Sequence, residues 1–342
     1  MELLLAMGNG VFSPQNSMKS QITFEVRMTA CDRPGMLRRA LKSLQAQNYP
    51  YWRAIVFDDS LSSEPREVVQ GMSDRRISYI RNPQRFGAAR NIDQCFSPTR
   101  LSDGSHACLL EDDNFWLPEF LSLISDHLGK RSWELILANQ RISEEGASLR
   151  PASETTRGGW FSAGRVDALD LRAMLLLMEG LSNGGLIWRL DGQTNLQVGS
   201  TVQETGLHEA CRSLLIGVPF LFVEEPLAVW TLMPKSESAR AVERNRLIGR
   251  GMQSIRDFVL HLHGECAVRI ARRIASKLDL TDRLVEALSY SGHPTVTGES
   301  HRGRHRLVCR ALAKGWAARI FERDPCAAFL NSGRIPPISD PA

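Results

Sequence analysis

The chain has 342 residues, of which 43% are hydrophobic and 23% are charged, the composition of an ordinary globular protein with one large or two modest domains. Its net charge of +4 is too small to indicate a nucleic-acid partner, and its seven scattered cysteines include no Cys-x-x-Cys pair that would indicate a zinc cage. No stretch approaches the ~18 apolar residues of a membrane span, so we expect a cytoplasmic protein that is either free or rests on the inner face of the membrane.

Predicted strands and helices alternate through the first half of the chain. The predicted strands cover residues 22–28, 52–57, 77–80, 108–110 and 135–138. The predicted helices begin at Pro34 and then cover residues 64–72, 86–96 and 117–128. Strands that alternate with helices predict an α/β fold with a mostly parallel sheet flanked by helices. In such folds ligands bind beyond the carboxyl ends of the strands.

The second half of the chain becomes increasingly helical. A loop is predicted over 144–165, then a helix over 169–178, a strand over 185–190, a helix over 201–217 and strands over 220–223 and 227–232. Beyond residue 233 the predicted helices cover 240–263, 266–277, 281–290 and 304–321. From residue 235 onward, 19 Lys and Arg face 11 Asp and Glu, so this part is basic. We therefore predict an N-terminal tail over 1–20, a Rossmann-like domain over 21–233 and a helical C-terminal extension over 234–342.

Three consecutive acids, Glu111, Asp112 and Asp113, follow the apolar pair at the end of the fourth predicted strand. Acids clustered where a buried strand ends repel one another unless a cation holds them. Carboxylates are the ligands that Mg²⁺ and Mn²⁺ prefer, and these ions share their ligands with phosphates. The alternative is a solvated acidic turn before a helix, whose N-terminus also favours acids. Because three of the four early strands end in acids or in Asp-Arg, the sequence favours the metal site.

Five segments, in order along residues 22–232, resemble the family 2 glycosyltransferases of the GT-A fold. They are 29–34 (TACDRP), 55–60 (IVFDDS), 82–91 (NPQRFGAARN), 110–118 (LEDDNFWLP) and the pair 212–217 and 223–227 (RSLLIG and VEEPL). One departure is Leu61, which stands where the family has a small residue after its Asp-Asp pair. Each segment alone is a weak signal, but their common order is specific.

The resemblance implies roles for individual residues in binding a nucleoside diphosphate sugar. The loop with Ala30 and Arg33, and one of Asp58 or Asp59, would contact the base and ribose. The resemblance also implies that Arg90 approaches the ribose or diphosphate; the alternative is a surface arginine of a helix. Asp112 would lie near the ribose and Asp113 would bind Mg²⁺ or Mn²⁺, whereas Glu111 is either a supporting acid or only the strand end.

The resemblance further implies an inverting transfer, in which a carboxylate takes the proton of an acceptor hydroxyl. The family supplies this base from a Glu-Asp pair that falls here on Thr205 and Gly206, and neither can act as a base. Glu204 is the neighbouring acid and is our predicted base, with Glu209 left open one helical turn further on. Two alternatives remain: Glu204 as an ordinary acid at a helix start, and a catalytically impaired protein that binds sugar nucleotides as a scaffold.

The acceptor is less constrained than the donor. We expect a hydroxyl acceptor that is a saccharide, a lipid-linked molecule or a small molecule. Trp160, which follows two glycines in the predicted loop, is the best candidate for stacking on a sugar ring, whereas Trp188 and Trp230 are expected to pack in the core. The C-terminal helices are expected to shape the acceptor site, to mediate a homodimer or to contact an anionic membrane.

Overall fold

The computed structural model describes residues 21–144, 149–233, 239–293, 304–321 and 324–338. The predicted tail over 1–20 and the start of the extension over 234–238 lie outside the described residues. The strands are β1 (Phe24–Ala30), β2 (Trp52–Asp58), β3 (Ile77–Arg81), β4 (His106–Glu111), β5 (Phe115–Trp116), β6 (Leu135–Glu144), β7 (Gly164–Val166), β8 (Leu186–Arg189) and β9 (Phe220–Leu232). The helices are α1 (Pro34–Gln45), α2 (Glu64–Gly71), α3 (Ala88–Gln94), α4 (Phe120–Lys130), α5 (Ala168–Met174), α6 (Thr205–Leu215), α7 (Ala239–Leu278), α8 (Thr281–Ser291), α9 (His305–Phe321) and α10 (Ala327–Leu330).

One sheet runs through the domain in the order β3-β2-β1-β4-β8-β6-β9-β5, with β7 paired to β9. The predicted parallel arrangement is confirmed for β3, β2, β1 and β4, whose carboxyl ends therefore meet at one edge. The other half is mixed, because β8 runs antiparallel to both of its neighbours while β6 and β9 are parallel. The sheet is flanked by helices, as predicted.

Strand β9 differs from the sequence prediction of two separate strands. It runs through the Glu224-Glu225-Pro226 interruption as one element, because its pairing with β6 shifts register between Ala138 and Gln140. Such a bulge accommodates a proline and exposed acids without ending the strand. The second half of β9 then pairs with β6 as far as Glu144, so β6 is longer than the predicted strand over 135–138.

The two faces of the sheet bury separate apolar clusters, and β4 shows how side chains are divided between them. Leu110 packs in the cluster with α1 and α4, whereas Leu109 packs in the cluster that includes residues of α5, α6 and α7. Because side chains alternate along a strand, Glu111 follows Leu109 to the α6 face. The sheet thus directs the first acid of the run toward α6.

Helix α7 joins the C-terminal extension to the domain. Its Ile255 and Val259 are fully buried in the same cluster as Leu207 and Leu214 of α6. The predicted break between two helices appears at Gly264, whose φ of 48° and ψ of −131° interrupt the helical backbone. Within the described residues, no helix is both long and apolar enough to cross a membrane. Helix α7 therefore shares a buried core with α6, which lets it contribute to a cavity at the sheet edge.

Candidate functional site

A cavity of about 490 Å³ lies at the carboxyl ends of β1 and β4, and we call it the strand-edge cavity. The sheet register explains its position, because Thr29 pairs with Glu111 and both strands end there. Helix α6 contributes Glu209 to the lining, and α7 contributes Arg244. The predicted residues that line it are Ala30, Arg33, Asp112 and Asp113, joined by Glu111. The structure thus brings half of the predicted site residues into one cavity.

Arg33 holds the acid run in place. Its Nη1 donates to Asp113 Oδ2 at 2.6 Å, and its Nε donates to Asp112 Oδ2 at 3.3 Å. Its Nη2 also donates to Asp112 Oδ1. The backbone N–H of Cys31 donates to Asp112 Oδ2 at 3.2 Å, so the loop after β1 fixes the Asp112 carboxylate from two sides. The Asp-Arg end of β1 and the acid end of β4 therefore form one unit.

The carboxyl groups of the cavity are costly to ionise, even with Arg33 beside them. Burial raises the pKa of Asp112 to about 7, with Arg33 opposing this shift and Asp113 adding to it. Burial, followed by the charges of Asp113 and Glu209, raises the pKa of Glu111 well above its usual range. Burial also raises the pKa of Glu209, with Arg157 opposing it. Carboxyls that are costly to ionise in a cavity favour the binding of a cation there.

The donor set fits a hard divalent cation that shares its ligands with a substrate. Asp112 and Asp113 offer oxygen ligands of the type that Mg²⁺ and Mn²⁺ prefer. In the described part of the chain, no three His, Cys, Asp or Glu side chains form a protein-only metal cage. Ions that usually bind through one or two carboxylates and substrate phosphates do not need such a cage. The residues present therefore fit a cation delivered with, or completed by, a diphosphate.

Asp58 and Asp59 do not line the strand-edge cavity. Asp58 Oδ1 accepts the Ser60 N–H at 2.9 Å, and its Oδ2 accepts the Tyr79 hydroxyl at 2.6 Å. Asp59 accepts the N–H groups of Phe86 at 2.6 Å and Gly87 at 2.8 Å. Both carboxylates are buried and occupied by these bonds, so Asp58 braces the end of β2 against β3 and Asp59 braces the loop before α3.

Arg90 also lies outside the cavity lining, in contrast to the role that the motif implies. Its side chain is exposed, and its guanidinium stacks 3.7 Å above the ring of Phe86. Arg90 follows Gly87 by only three residues at the start of a seven-residue helix. Asn91, the next residue, faces the cavity in its place. The observed position of Arg90 is that of the alternative given above, an arginine on the surface of a helix.

The two candidate bases occupy different positions on α6. Glu204 precedes the helix, where its carbonyl oxygen accepts the N–H groups of Leu207 and His208, and its side chain does not line the strand-edge cavity. Glu209 lines the cavity, and its Oε1 accepts the Asn183 N–H at 3.3 Å. Thr205, at the family's base position, lies four residues before Glu209 and therefore on the same helix face. That spacing is a signal by which the sequence could have pointed to Glu209, whereas our sequence prediction was Glu204.

A buried ion pair between Arg212 and Asp93 holds one residue of the strand-edge cavity in place. Arg212 Nη2 lies 2.9 Å from Asp93 Oδ1, and Asp93 also accepts the N–H groups of Val198 at 2.8 Å and Gly199 at 2.7 Å. Arg212 Nη1 donates to Asn183 Oδ1, which places Asn183 in the cavity lining. The pair therefore connects α3 and α6 to the residue that donates to Glu209.

A second cavity of about 430 Å³ adjoins the first, because Glu209 lines both. We call it the tryptophan cavity, after Trp160 and Trp230 in its lining. The prediction that Trp230 packs in the core is wrong, because β9 ends at the rim of this cavity, whereas Trp188 is buried and stacks on Phe96 as expected. Apolar ring faces beside hydroxyl groups are typical of sugar-binding sites.

The tryptophan cavity also contains polar atoms without partners. Thr156 Oγ1 and Arg157 Nε are buried, and neither has a hydrogen-bond partner among the described residues. Buried polar groups are normally hydrogen-bonded, so these two atoms are available to a molecule bound in the cavity. Neither residue carries a motif that would have singled it out in the sequence.

Comparison with known proteins finds a family model and curated relatives that match part of this chain. The sequence model of the family described as glycosyl transferase family 2 matches residues 26–170 of this chain. The putative colanic acid biosynthesis glycosyl transferase WcaA of Escherichia coli (strain K12) is 29% identical over 139 residues, which is 40% of this chain and 49% of the relative. Protein CgeD of Bacillus subtilis (strain 168) is 26% identical over 121 residues, 34% of this chain and 28% of that protein.

Solved structures share the fold over a longer span. The crystal structure of S. aureus TarS 1–349 has a TM-score of 0.56 at 11% identity, covering 87% of this chain and 92% of that one. The same protein in complex with UDP-GlcNAc has a TM-score of 0.54 at 12% identity, covering 88% of this chain and 93% of that one. At this identity the likeness concerns the fold, and it includes part of the helical extension.

Proposed function

We propose that the protein transfers a sugar from a nucleoside diphosphate sugar to an acceptor hydroxyl, with inversion at the anomeric carbon. The premise is the match of residues 26–170 to the model of glycosyl transferase family 2. One observation carries the proposal: Glu209 stands between the strand-edge cavity and the tryptophan cavity. A transferase for two substrates needs two adjoining sites with a base at their junction. The chain spans about half or less of the length of WcaA and CgeD, so the biosynthetic process is also proposed, as that of a glycan or polysaccharide.

The strand-edge cavity is the proposed donor site. Asp113 would hold Mg²⁺ or Mn²⁺, with Asp112 beside it, and Arg33 and Arg244 would offer further positive charge to the diphosphate. The cation would stabilise the charge that develops on the leaving nucleoside diphosphate. The complex of S. aureus TarS with UDP-GlcNAc, a protein of the same fold, supports a nucleotide sugar as the ligand.

The tryptophan cavity is the proposed acceptor site. An acceptor hydroxyl held there attacks the anomeric carbon, a new C–O bond forms, and the bond to the diphosphate oxygen breaks on the opposite face. The hydroxyl proton moves to the carboxylate of Glu209. We propose Glu209 as the base in place of Glu204, because a base must lie within about 2.6–3.2 Å of its proton and Glu209 lines both cavities. Its raised pKa also makes it a better proton acceptor.

The alternative of an impaired sugar-nucleotide-binding scaffold is motivated by Thr205 and Gly206, which replace the family's usual pair of acids. Such a protein would bind the donor without turning it over. The proposal and this alternative therefore separate in a two-stage experiment. A thermal-shift screen of nucleoside diphosphate sugars with Mg²⁺ or Mn²⁺ identifies the donor, because a ligand that binds only the folded state raises its apparent stability. Release of the nucleoside diphosphate from that donor supports the transferase, binding without release supports the scaffold, and no binding by any donor contradicts both.

A further inference from the structure

A third cavity, of about 500 Å³, lies among helices α7, α8 and α9, and we call it the basic cavity. Of the described residues that line it, five are cationic and one is acidic. They are Arg246, Arg250, Arg256, Arg283, Lys314 and Glu286. Cations from three separate helices thus converge on one concave space. Solvated helix faces usually point their charges apart, so this convergence calls for an explanation.

In the described lining of the basic cavity, cationic side chains outnumber acidic ones by five to one. Arg250 Nε is buried and has no hydrogen-bond partner among the described residues. Burial lowers the pKa of Arg256 and the neighbouring charge of Arg283 lowers it further, while the charges of Glu179, Glu286 and Asp257 oppose the shift. Arg283 forms an ion pair with Glu179 at 3.7 Å, and because its side chain is 43% exposed, solvent weakens this contact. Positive groups held together at this cost favour a bound anion, and guanidinium groups are suited to phosphate oxygens.

The basic cavity is the last of three that adjoin one another. Arg283 lines both the basic cavity and the tryptophan cavity, and Glu209 lines both the tryptophan cavity and the strand-edge cavity. A molecule in the tryptophan cavity therefore has the proposed base at one end and a group of cations at the other. This order is the one expected for an acceptor that carries both a hydroxyl and an anionic group.

We propose that the basic cavity binds a phosphate-type group of the acceptor, so that the acceptor is a phosphate- or diphosphate-bearing saccharide. This inference rests on the proposed transferase function. The shared chemistry is a phosphate ester, whose source is either a lipid-linked sugar diphosphate or a phosphate-bearing glycan. The occupant is a discrete group and not a membrane surface, because a bilayer is flat whereas these cations line a concave space between helices.

The first test measures anion binding directly, with inorganic pyrophosphate and inorganic phosphate as probes. Calorimetry is done on the full chain with EDTA present, so that a cation-held diphosphate at Asp113 does not contribute. The variant is Arg246→Gln/Lys314→Gln, whose two side chains are exposed at the cavity, so the fold is expected to survive. The matched control is Arg272→Gln/Arg310→Gln, which removes two exposed cations of α7 and α9 outside the lining. Thermal unfolding verifies the fold of both.

We expect wild type and control to bind pyrophosphate alike, and the cavity variant to bind it on the order of tenfold or more weakly, since charge-assisted hydrogen bonds are lost. Equal affinity in wild type and the cavity variant would overturn the proposal. A cavity variant that loses only binding to vesicles containing phosphatidylglycerol, and keeps its pyrophosphate affinity, would overturn it in favour of a membrane-contact face.

The second test concerns the acceptor. Transfer to a short-chain lipid diphosphate sugar, to a sugar carrying a phosphate monoester and to a neutral alkyl glycoside is compared in wild type, the cavity variant and the control. We expect an acceptor KM that rises in the cavity variant for one of the two phosphorylated acceptors, and the responsive acceptor identifies the source of the phosphate. A neutral glycoside that is the best acceptor, with no effect of the variant, would contradict the proposal. Absence of donor turnover in the wild type would instead contradict the proposed function, while the pyrophosphate measurement still reports on the cavity.

Discussion

Glu111 at the end of β4 and Glu209 on α6 reach the strand-edge cavity from opposite sides, and the charge of Glu209 helps to raise the pKa of Glu111. The relationship follows from strand alternation, which places Glu111 on the face covered by α6. One carboxyl belongs to the acid run of the proposed donor site, and the other also lines the proposed acceptor site. The pair therefore marks the boundary at which transfer would occur.

The pH dependence of turnover is expected to reflect Glu209. Burial raises its pKa above its usual value of 4.5, and only the ionised form accepts a proton. The rate should therefore fall as the pH drops through this raised pKa, so the acid limb of kcat should lie above pH 4.5. A kcat profile at saturating donor and Mn²⁺ measures this limb. An acid limb at or below the usual glutamate value would contradict the assignment.

Substitution of Asp113 is expected to remove the dependence of donor binding on the divalent cation. In Asp113→Asn, one charged oxygen ligand of the proposed site is lost, and cation-dependent donor affinity should fall by about tenfold or more. Thermal shift with donor, with and without Mn²⁺, measures the change. The control is Asp103→Asn, an exposed aspartate that pairs with Arg53 at 2.9 Å away from the cavity. Equal Mn²⁺ dependence of donor binding in the two variants would show that Asp113 does not bind the cation.

The structure and the family motif predict different arginines for contact with the donor diphosphate, and both side chains are exposed. Arg244 lines the strand-edge cavity from α7, whereas Arg90 stacks on Phe86 outside it. We expect Arg244→Gln to weaken donor binding by about tenfold, since it removes a charge-assisted contact to the diphosphate. Arg90→Gln should remain within about twofold of wild type, as surface substitutions usually do. The opposite ranking in donor titrations would favour the role that the family motif implies for Arg90.

The buried pair behind the cavity is expected to matter for stability. Asp93→Ala leaves the buried Arg212 without its partner and removes the acceptor for two backbone N–H groups. Loss of one member of such a pair should lower the free energy of unfolding by about 3–5 kcal/mol. The comparison is Asp191→Ala, whose exposed pair with Arg189 should contribute under about 1 kcal/mol. Urea unfolding measures the free energy of unfolding of both variants. A similar small loss in each would show that the Asp93–Arg212 pair does not stabilise the fold.

The sequence predicted those parts of the site that lie at strand ends. An apolar run that changes to charged residues marks the end of a strand and identifies the polar side chains there. Four residues selected in this way line the strand-edge cavity: Ala30, Arg33, Asp112 and Asp113. The motif does not specify the direction of a side chain on a seven-residue helix, so it could not predict that Arg90 lies outside the cavity lining.

Residues supplied by distant packing were not predictable. Arg244 reaches the cavity because α7 packs on α6, and the basic cavity needs three helices whose mutual arrangement leaves no local signal. The choice between Glu204 and Glu209 depends on which face of α6 meets β4. The helical spacing from Thr205 contains that information, but only the fold shows which face is covered.

The most direct test of the central claim is the release of nucleoside diphosphate from the identified donor by wild type, Glu209→Gln and Glu204→Gln. Glu209→Gln is isosteric and removes a charge whose ionisation is costly in the fold, so it should bind donor and unfold at no lower temperature than wild type. We predict that its kcat falls by about 100- to 10,000-fold, the usual contribution of a general base, and that Glu204→Gln stays near wild type. Full activity of Glu209→Gln, with the loss in Glu204→Gln instead, would contradict the account.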